Sequence, residues 1–356
     1  MLGVLTFHNA TNYGAVLQTY ALQKELDELG IDNEIIDYRC PHIVQSHKVR
    51  FKFKNPFGYV VKKRTQKLFR DFLNTRIRKG APVDSEVNMP GYDAFLVGSD
   101  QVWNRILTGG DDMYFLMKVP RNSLKYSYAA SMGYYHFADE TERQKYTECL
   151  KDFRGISVRE RSLKDYFASD GCAELKQKME IHSDPVFLMN ASFWREQSLH
   201  TQNPGFILLY MIKRDKRLID EAVRLGKEKK TAVIWASDSF RHYKHVKQRR
   251  CLGPQKFLGL FADSEYVVTN SFHGTVLSLI FQKDFSTVVE YDGQRDERIC
   301  DLLDSVGIEV MQNKGIAKPI NTINWNLVEK RRLELKKQAE GYLKRVKEDI
   351  DMRISK

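Results

Sequence analysis

The stretch Ala262-Asp-Ser-Glu-Tyr-Val-Val-Thr-Asn-Ser-Phe-His-Gly-Thr-Val-Leu-Ser-Leu-Ile-Phe281 decides the fold class. Tyr266–Thr269 is a short β-branched and aromatic run, the signature of a buried strand. Val276–Phe281 reads as the start of an apolar helix. Between them, Thr269-Asn-Ser-Phe-His-Gly-Thr275 is a strand-to-helix turn, where a helix N-terminus aims backbone N–H groups outward and favours an anion. His273 adds an imidazole able to donate a hydrogen bond or a proton near neutral pH. The plainer alternative is a capped helix, with Ser271 or Thr275 as N-cap and His273 as a turn residue.

The same alternation runs through the chain. Gly3–Phe7 predicts a strand, His8–Gly14 a loop and Ala15–Leu29 a helix stopped at Gly30, with Glu34–Tyr38 the next strand. Residues 41–90 break the pattern as a basic, Pro-containing insertion with a helix near Val60–Leu73. Alternation resumes with strands at Ala94–Val97, Lys125–Ala129 and Gly155–Val158, and helices near Thr141–Asp152 and Ser162–Ala168. Asp184-Pro185-Val186 reads as a turn. The second half repeats the theme: strands at Phe206–Met211, Thr231–Ala236 and Thr287–Val289, helices at Arg217–Lys229, Gly253–Ala262 and Arg298–Val306, and a long amphipathic helix over Asn326–Lys347. The expectation is two Rossmann-like domains, residues 1–195 with the insertion at 41–90 and residues 196–320, then a C-terminal helix over 321–356. A ligand would sit in the cleft at the strand ends.

At 356 residues the chain suits two domains, and 42% hydrophobic content supplies their cores. No apolar run is long enough to span a bilayer, and the N-terminus enters a strand without a signal pattern. A cytoplasmic protein is expected. The five cysteines, Cys40, Cys149, Cys172, Cys251 and Cys300, are scattered and show neither CxxC nor zinc spacing, so free thiols are expected. The net charge of +11 gathers in His47–Arg78 and Glu329–Lys356. The second segment mixes acids and bases at helical spacing, as a solvated face does. The first interleaves Phe with Lys and suits an anionic acceptor or a peripheral position at the inner membrane face. No nucleic-acid module is present, which speaks against a nucleic-acid partner.

Small or polar residues stand at nearly every predicted strand end: Asn12 and Gly14, Gly98-Ser99-Asp100, Ser131-Met132-Gly133, Arg159-Glu160, and Ser271-Phe272-His273-Gly274. Glycine admits close backbone approach, hydroxyls and N–H groups cradle anions, and an Arg just past a strand can clamp one bidentately. His8, beside an Asn in the first loop, reads as structural.

In order, these residues resemble the polysaccharide pyruvyl transferases. The resemblance rests on Asn12-Tyr13-Gly14-Ala15 with Leu17-Gln18 and Ala21-Leu22, Gly98-Ser99-Asp100-Gln101-Val102-Trp103, and Tyr128-Ala129-Ala130-Ser131-Met132-Gly133. It continues with Ile156-Ser157-Val158-Arg159-Glu160, Asp184-Pro185, and Asp263-Ser264 through Asn270-Ser271-Phe272-His273-Gly274. It covers about residues 3–310 and implies a GT-B-like architecture. It also implies transfer of a pyruvyl group from phosphoenolpyruvate to sugar hydroxyls in bacterial cell-surface polysaccharide biosynthesis, without a cofactor or metal. Arg159 and His273 fall in the implied donor site, with Ser271 and Gly274 beside them. Many members carry Arg-Leu-His where this chain has Ser271-Phe272-His273, so another base must supply that charge; Lys283, Arg295 and Arg298 are candidates.

The expected catalytic residues are His273, Arg159 and Asp100, with Asp184 as an alternative base. The expected donor-binding residues are Asn12, Gly14, Ser99, Ser131, Ser271, Gly274 and Arg295. Expected partners are phosphoenolpyruvate and a saccharide acceptor, with a lipid-linked one compatible with the basic insertion. The insertion or the last helix could bury a homodimer interface, or the helix could fold back across the N-terminal domain. The alternative function is a GT-B-like glycosyltransferase using a nucleotide-sugar, with Glu290 and Asp292 placed to bind a ribose.

Overall fold

A computed structural model describes residues 1–51, 56–83, 91–120, 122–133, 137–168, 173–291, 294–313 and 315–355, excluding the side chains of Ala168, Ala173, Tyr291 and Arg295. Cys172, Asp292 and residues 52–54 of the basic run therefore lie outside the described residues. The chain forms two α/β units. Unit 1 comprises Met1–Lys48, Arg76–Leu188 and Leu333–Lys356; unit 2 comprises Val49–Thr75 and Met189–Arg332.

The strands of unit 1 are β1 Leu2–Leu5, β2 Asn33–Tyr38, β3 Lys79–Val83, β4 Ala94–Asp100, β5 Leu124–Ala130, β6 Ile156–Val158 and β7 Met179–Ile181. They lie side by side in the order β3-β2-β1-β4-β5-β6-β7, all parallel. β1, β4 and β6 are buried along their whole length, as a parallel sheet covered on both faces requires. The order reverses between β1 and β4. In open α/β sheets, ligands bind outside the carboxyl ends of the strands at such a switch point.

Unit 2 begins with β8 Ile207–Tyr210, β9 Val233–Ala236, β10 Val246–Arg249, β11 Tyr266–Thr269 and β12 Asp284–Val288. Their order is β10-β9-β8-β11-β12, again parallel, with the switch point between β8 and β11. Two antiparallel strands, Ile316–Pro319 and Val310–Asn313, extend the sheet beyond β12. Ile207, Leu209, Leu218, Val268 and Val288 form the core under this sheet.

Several elements depart from the sequence expectation. The helix of the basic segment runs over Pro56–Arg76, and its residues up to Thr75 pack within unit 2 rather than the N-terminal domain. Phe69, Phe72 and Leu73 form its buried face. β3 and β10 are exposed edge strands; one contains Pro82 and the other reads Val-Lys-Gln-Arg, so neither has an apolar run to announce it. Asp184-Pro185 opens a short helix, Pro185–Leu188, instead of a plain turn.

The last helix, Trp325–Ile354, folds back on unit 1 from Leu333 onward. Ala339, Tyr342, Leu343, Val346 and Ile350 are its buried stripe. Tyr342 donates to the Ser127 carbonyl at 2.8 Å, and Lys336 reaches the buried Glu25 carboxylate at 2.9 Å. Cys40, Cys149, Cys251 and Cys300 are free thiols. Among the described residues no helix is long and apolar enough to cross a membrane, and no group of His, Cys, Asp or Glu is arranged to hold a metal.

His182, just past β7, is buried against Tyr342 with ring centroids 5.1 Å apart, and its Nδ1 shares a 2.9 Å hydrogen bond with Ser157. Burial pushes its imidazole from 6.5 down to about 4, against the opposing pull of Glu180. The unfolded chain binds this proton first, so the stability from neutral His182 is intact above about pH 6.5 and is lost as pH falls toward 4. The expected loss is about 3 kcal/mol over that window. Urea denaturation at pH 7 and pH 4.5 checks it, and His182→Gln should flatten the slope.

Candidate functional site

Both switch points carry the predicted polar residues. In unit 1, Gly98-Ser99-Asp100 forms the carboxyl end of β4. Gly98 has φ +118°, and a Cβ there would stand 2.2 Å from the Tyr128 carbonyl oxygen, so only glycine lets β4 pass β5 in this conformation. Ser99 is then held from several sides. Its Oγ donates to the Ala129 carbonyl and accepts from Arg159 Nη2; its carbonyl accepts from Thr6 Oγ1 at 3.2 Å. Gln18 donates to Thr6 at 2.8 Å, tying the first helix, Tyr13–Glu28, to the same point.

Arg159 follows β6 and is anchored by its N–H to the Ala130 carbonyl. Its Nη2 lies 2.6 Å from Asp184 Oδ2, and the two side chains are 3% and 0% exposed. Asp184 Oδ1 accepts the Val186 N–H that opens the short helix. This is a closed ion pair, preset by backbone on both sides. Next to it, Ser131 donates to Glu160, and Gly133 N–H reaches both. The Ser131 N–H bonds the Asp100 carbonyl, which brings Asp100 into the same cluster. Asp100 has φ +72°, and its Oδ1 accepts the Gln101 N–H at 2.9 Å.

Asn12 and Gly14 open the first helix: Asn12 is its N-cap, accepting from Ala15 N–H, and Gly14 is buried in the first turn. His8 is structural, as expected. Its Nε2 lies 2.8 Å from buried Asp37, and that hydrogen bond, with Arg39 adding to it, holds the carboxyl far below the usual carboxylate range.

In unit 2 the helix after β11 starts at Phe272, four residues before the predicted start, and runs to Ile280. Phe272, His273, Gly274 and Thr275 are thus its first turn. Ser271 is the N-cap, its Oγ accepting the Gly274 N–H at 3.2 Å, which decides between the two capping residues the sequence offered. Thr275 instead bonds Thr287 on β12 at 2.7 Å. Across the switch point, the Tyr210 hydroxyl at the end of β8 hydrogen-bonds Ser271, while burial holds its pKa above the usual range. His273 is 8% exposed, its ring edge-on to Phe272 at 5.2 Å.

Gly274 has a packing role. A Cβ there would stand 2.4 Å from Thr269 Oγ1, the atom that caps the Ser271 N–H. Gly274→Ala is expected to cost about 1–3 kcal/mol, as overpacked cores do. Chemical denaturation reads that loss directly, and an unchanged midpoint would show that the helix slides freely over β11.

Of the candidate cations, Arg298 is at the turn. Its guanidinium lies 5.7 Å from the Phe272 ring centroid and is held by Asp296 through Nε at 3.0 Å and Nη2 at 2.8 Å. Lys283 is at the far end of the same helix, beside the start of β12, and so does not face the turn. The Arg295 side chain lies outside the described residues. Glu290 accepts from Gln312 at 2.9 Å. Thr6, Tyr210 and Asp296 were not among the residues expected at the site, because single polar residues beside apolar strands carry no spacing signal.

A sequence model of the polysaccharide pyruvyl transferases matches residues 12–293, most of the chain and both switch points. The chain belongs to that family. Among solved structures, a Listeria monocytogenes protein assigned as a UDP-N-acetylglucosamine 2-epimerase superposes with TM-score 0.51 at 9% identity, over 95% of this chain and 89% of its own. S. aureus MnaA with UDP gives 0.48 at 12%, over 95% and 90%. The Neisseria meningitidis UDP-GlcNAc 2-epimerase bound to UDP-GlcNAc gives 0.47 at 12%, over 96% and 93%. The likeness to the Listeria protein is one of fold, of the GT-B type. No curated protein sequence is similar enough to match the chain. Within the transferase family, the matched stretch contains Arg159, Asp184 and the Ser271–Gly274 turn, the groups that structure brings to the switch points.

Proposed function

We propose that this transferase moves a pyruvyl group from phosphoenolpyruvate onto two hydroxyls of a saccharide, forming a ketal. The observation that carries this reading is the placement of His273 in the first turn of a capped helix at the unit 2 switch point, within a pyruvyl transferase match.

In the proposed sequence His273 protonates the methylene carbon of phosphoenolpyruvate, which makes C2 electrophilic. A saccharide hydroxyl forms a bond to C2, and its proton passes to the imidazole that has just given one up. The C2–O bond to phosphorus then breaks, and phosphate leaves with the electron pair. The second hydroxyl closes on C2, and its proton goes to the phosphate. Asp184 is committed to Arg159 and does not serve as the base. Arg159, closed on Asp184, acts on the donor site by holding the Ser99 hydroxyl in place. The first turn after Ser271 and the Arg298 guanidinium beside Phe272 favour the phosphate, Arg298 replacing the Arg that many members carry at position 271. Asn12, Gly14, Ser99 and Ser131 shape the donor site by holding the unit 1 loops.

The family implies a saccharide acceptor for cell-surface polysaccharide synthesis. Release of inorganic phosphate from phosphoenolpyruvate, assayed against free and lipid-linked oligosaccharides, tests the reading. Phosphate release that requires acceptor, with a ketal in the product by NMR, is expected. Transfer from a nucleotide-sugar to the same acceptors, with phosphoenolpyruvate left intact, would replace it with the glycosyltransferase alternative.

A further inference from the structure

The helix Pro56–Arg76 and the segment Ser237–Cys251 adjoin within unit 2. Thr65 Oγ1, on the buried face of the helix, donates to Asp238 at 2.5 Å, and Cys251 Sγ lies 3.8 Å from the Val61 carbonyl. The helix carries six Lys and Arg against one Asp, and Ser237–Cys251 five against one.

On the helix, Phe57, Val60, Lys63, Arg64 and Lys67 recur at three- and four-residue spacing, so they share the face opposite Thr65, Phe69 and Phe72. All five are exposed, Phe57 by 76% and Val60 by 61%. Lys63 lies over the Tyr59 ring, and Phe51, 52% exposed, packs edge-on to the same ring at 5.4 Å. Lys67 pairs with Asp71. In the second segment, Lys247 and Arg249 alternate outward on the edge strand β10. Phe240 is 40% exposed and lies under the Arg250 guanidinium at 4.5 Å.

Large apolar side chains are thus left in water among a surplus of cations on two neighbouring segments. A nucleic acid would use the charge and could stack a base on Phe57, but it has no use for the exposed aliphatic Val60 one turn along. An anionic bilayer uses both: cations meet the headgroups, while apolar side chains enter the headgroup boundary. We propose that this face of unit 2 docks on a membrane surface carrying anionic lipid headgroups. The helix then lies on the bilayer and does not cross it.

The test is sedimentation of the full chain with vesicles of phosphatidylcholine, with and without phosphatidylglycerol. Binding is read without substrate, so it stands or falls separately from the transfer chemistry. Binding to the anionic vesicles, weak binding to the neutral ones and release by high salt are expected. Lys63→Ala with Lys247→Ala should weaken binding about thirtyfold, taking about 1 kcal/mol per cation at the surface. Phe57→Ser should weaken it at unchanged salt dependence, and its exposure makes the variant safe for folding. Equal binding to both vesicle types, or binding that neither variant alters, would overturn the proposal. So would tighter binding to duplex DNA that is indifferent to Phe57→Ser.

Discussion

Asp184→Ala is expected to destabilise unit 1 by about 3–5 kcal/mol, since it strands a buried guanidinium without its counter-ion. Arg159 and Asp184 are both almost fully buried and 2.6 Å apart, so neither can turn to water when the other is removed. Asp184 also accepts the Val186 N–H, and that donor would be orphaned too. In a domain of this size the loss lowers the melting temperature by about 10 °C. Arg159→Ala should cost a similar amount and also weaken phosphoenolpyruvate binding. Arg159→Lys keeps the charge but replaces the flat guanidinium, whose Nη2 meets both Ser99 and Asp184, with an ammonium on a shorter stem, so stability should be only partly restored. Replacing both partners with Met and Leu should recover much of the stability while leaving donor binding weak. A loss under about 1 kcal/mol for Asp184→Ala would place the pair in solvent rather than in the core.

His273→Ala is expected to fold and to lower turnover by about 10²–10⁴, the usual contribution of a positioned proton donor. The first turn survives the change. Ser271 still caps Gly274, Thr275 still bonds Thr287, and Phe272 stays beside Arg298. The melting temperature should therefore fall far less than in Asp184→Ala. Turnover near that of the unaltered protein would remove His273 from the chemistry. A collapse of stability with the activity would make it a structural residue of the turn.

The strands flanking both switch points were legible from their apolar runs. Tyr266–Thr269 is observed as predicted, and β1, β2, β4 and β5 differ by a few residues at their ends. The candidate residues were legible because each follows such a run. Their partners were not. Arg159 and Asp184 lie on separate loops of a parallel sheet, and only the order β5-β6-β7 brings those loops together. Gly274 looked like a ligand glycine in the sequence, whereas the close approach of the helix to Thr269 supplies its reason. The helix after β11 began earlier than its apolar run because Ser271 caps it, and a cap is a hydrogen bond rather than a hydropathy signal. Edge strands β3 and β10 escaped notice for the same reason, having ladder bonds on one side and solvent on the other. The basic helix was found, yet its place in unit 2 depends on Thr65, Phe69 and Phe72, which no local pattern assigns to one sheet or the other.

Calorimetric titration with phosphoenolpyruvate and with UDP, for the unaltered chain and His273→Ala, tests the identity of the donor most directly. Saturable phosphoenolpyruvate binding that is lost in His273→Ala, with UDP left unbound, is the expected result. Saturable UDP binding without phosphoenolpyruvate binding would contradict phosphoenolpyruvate as the donor.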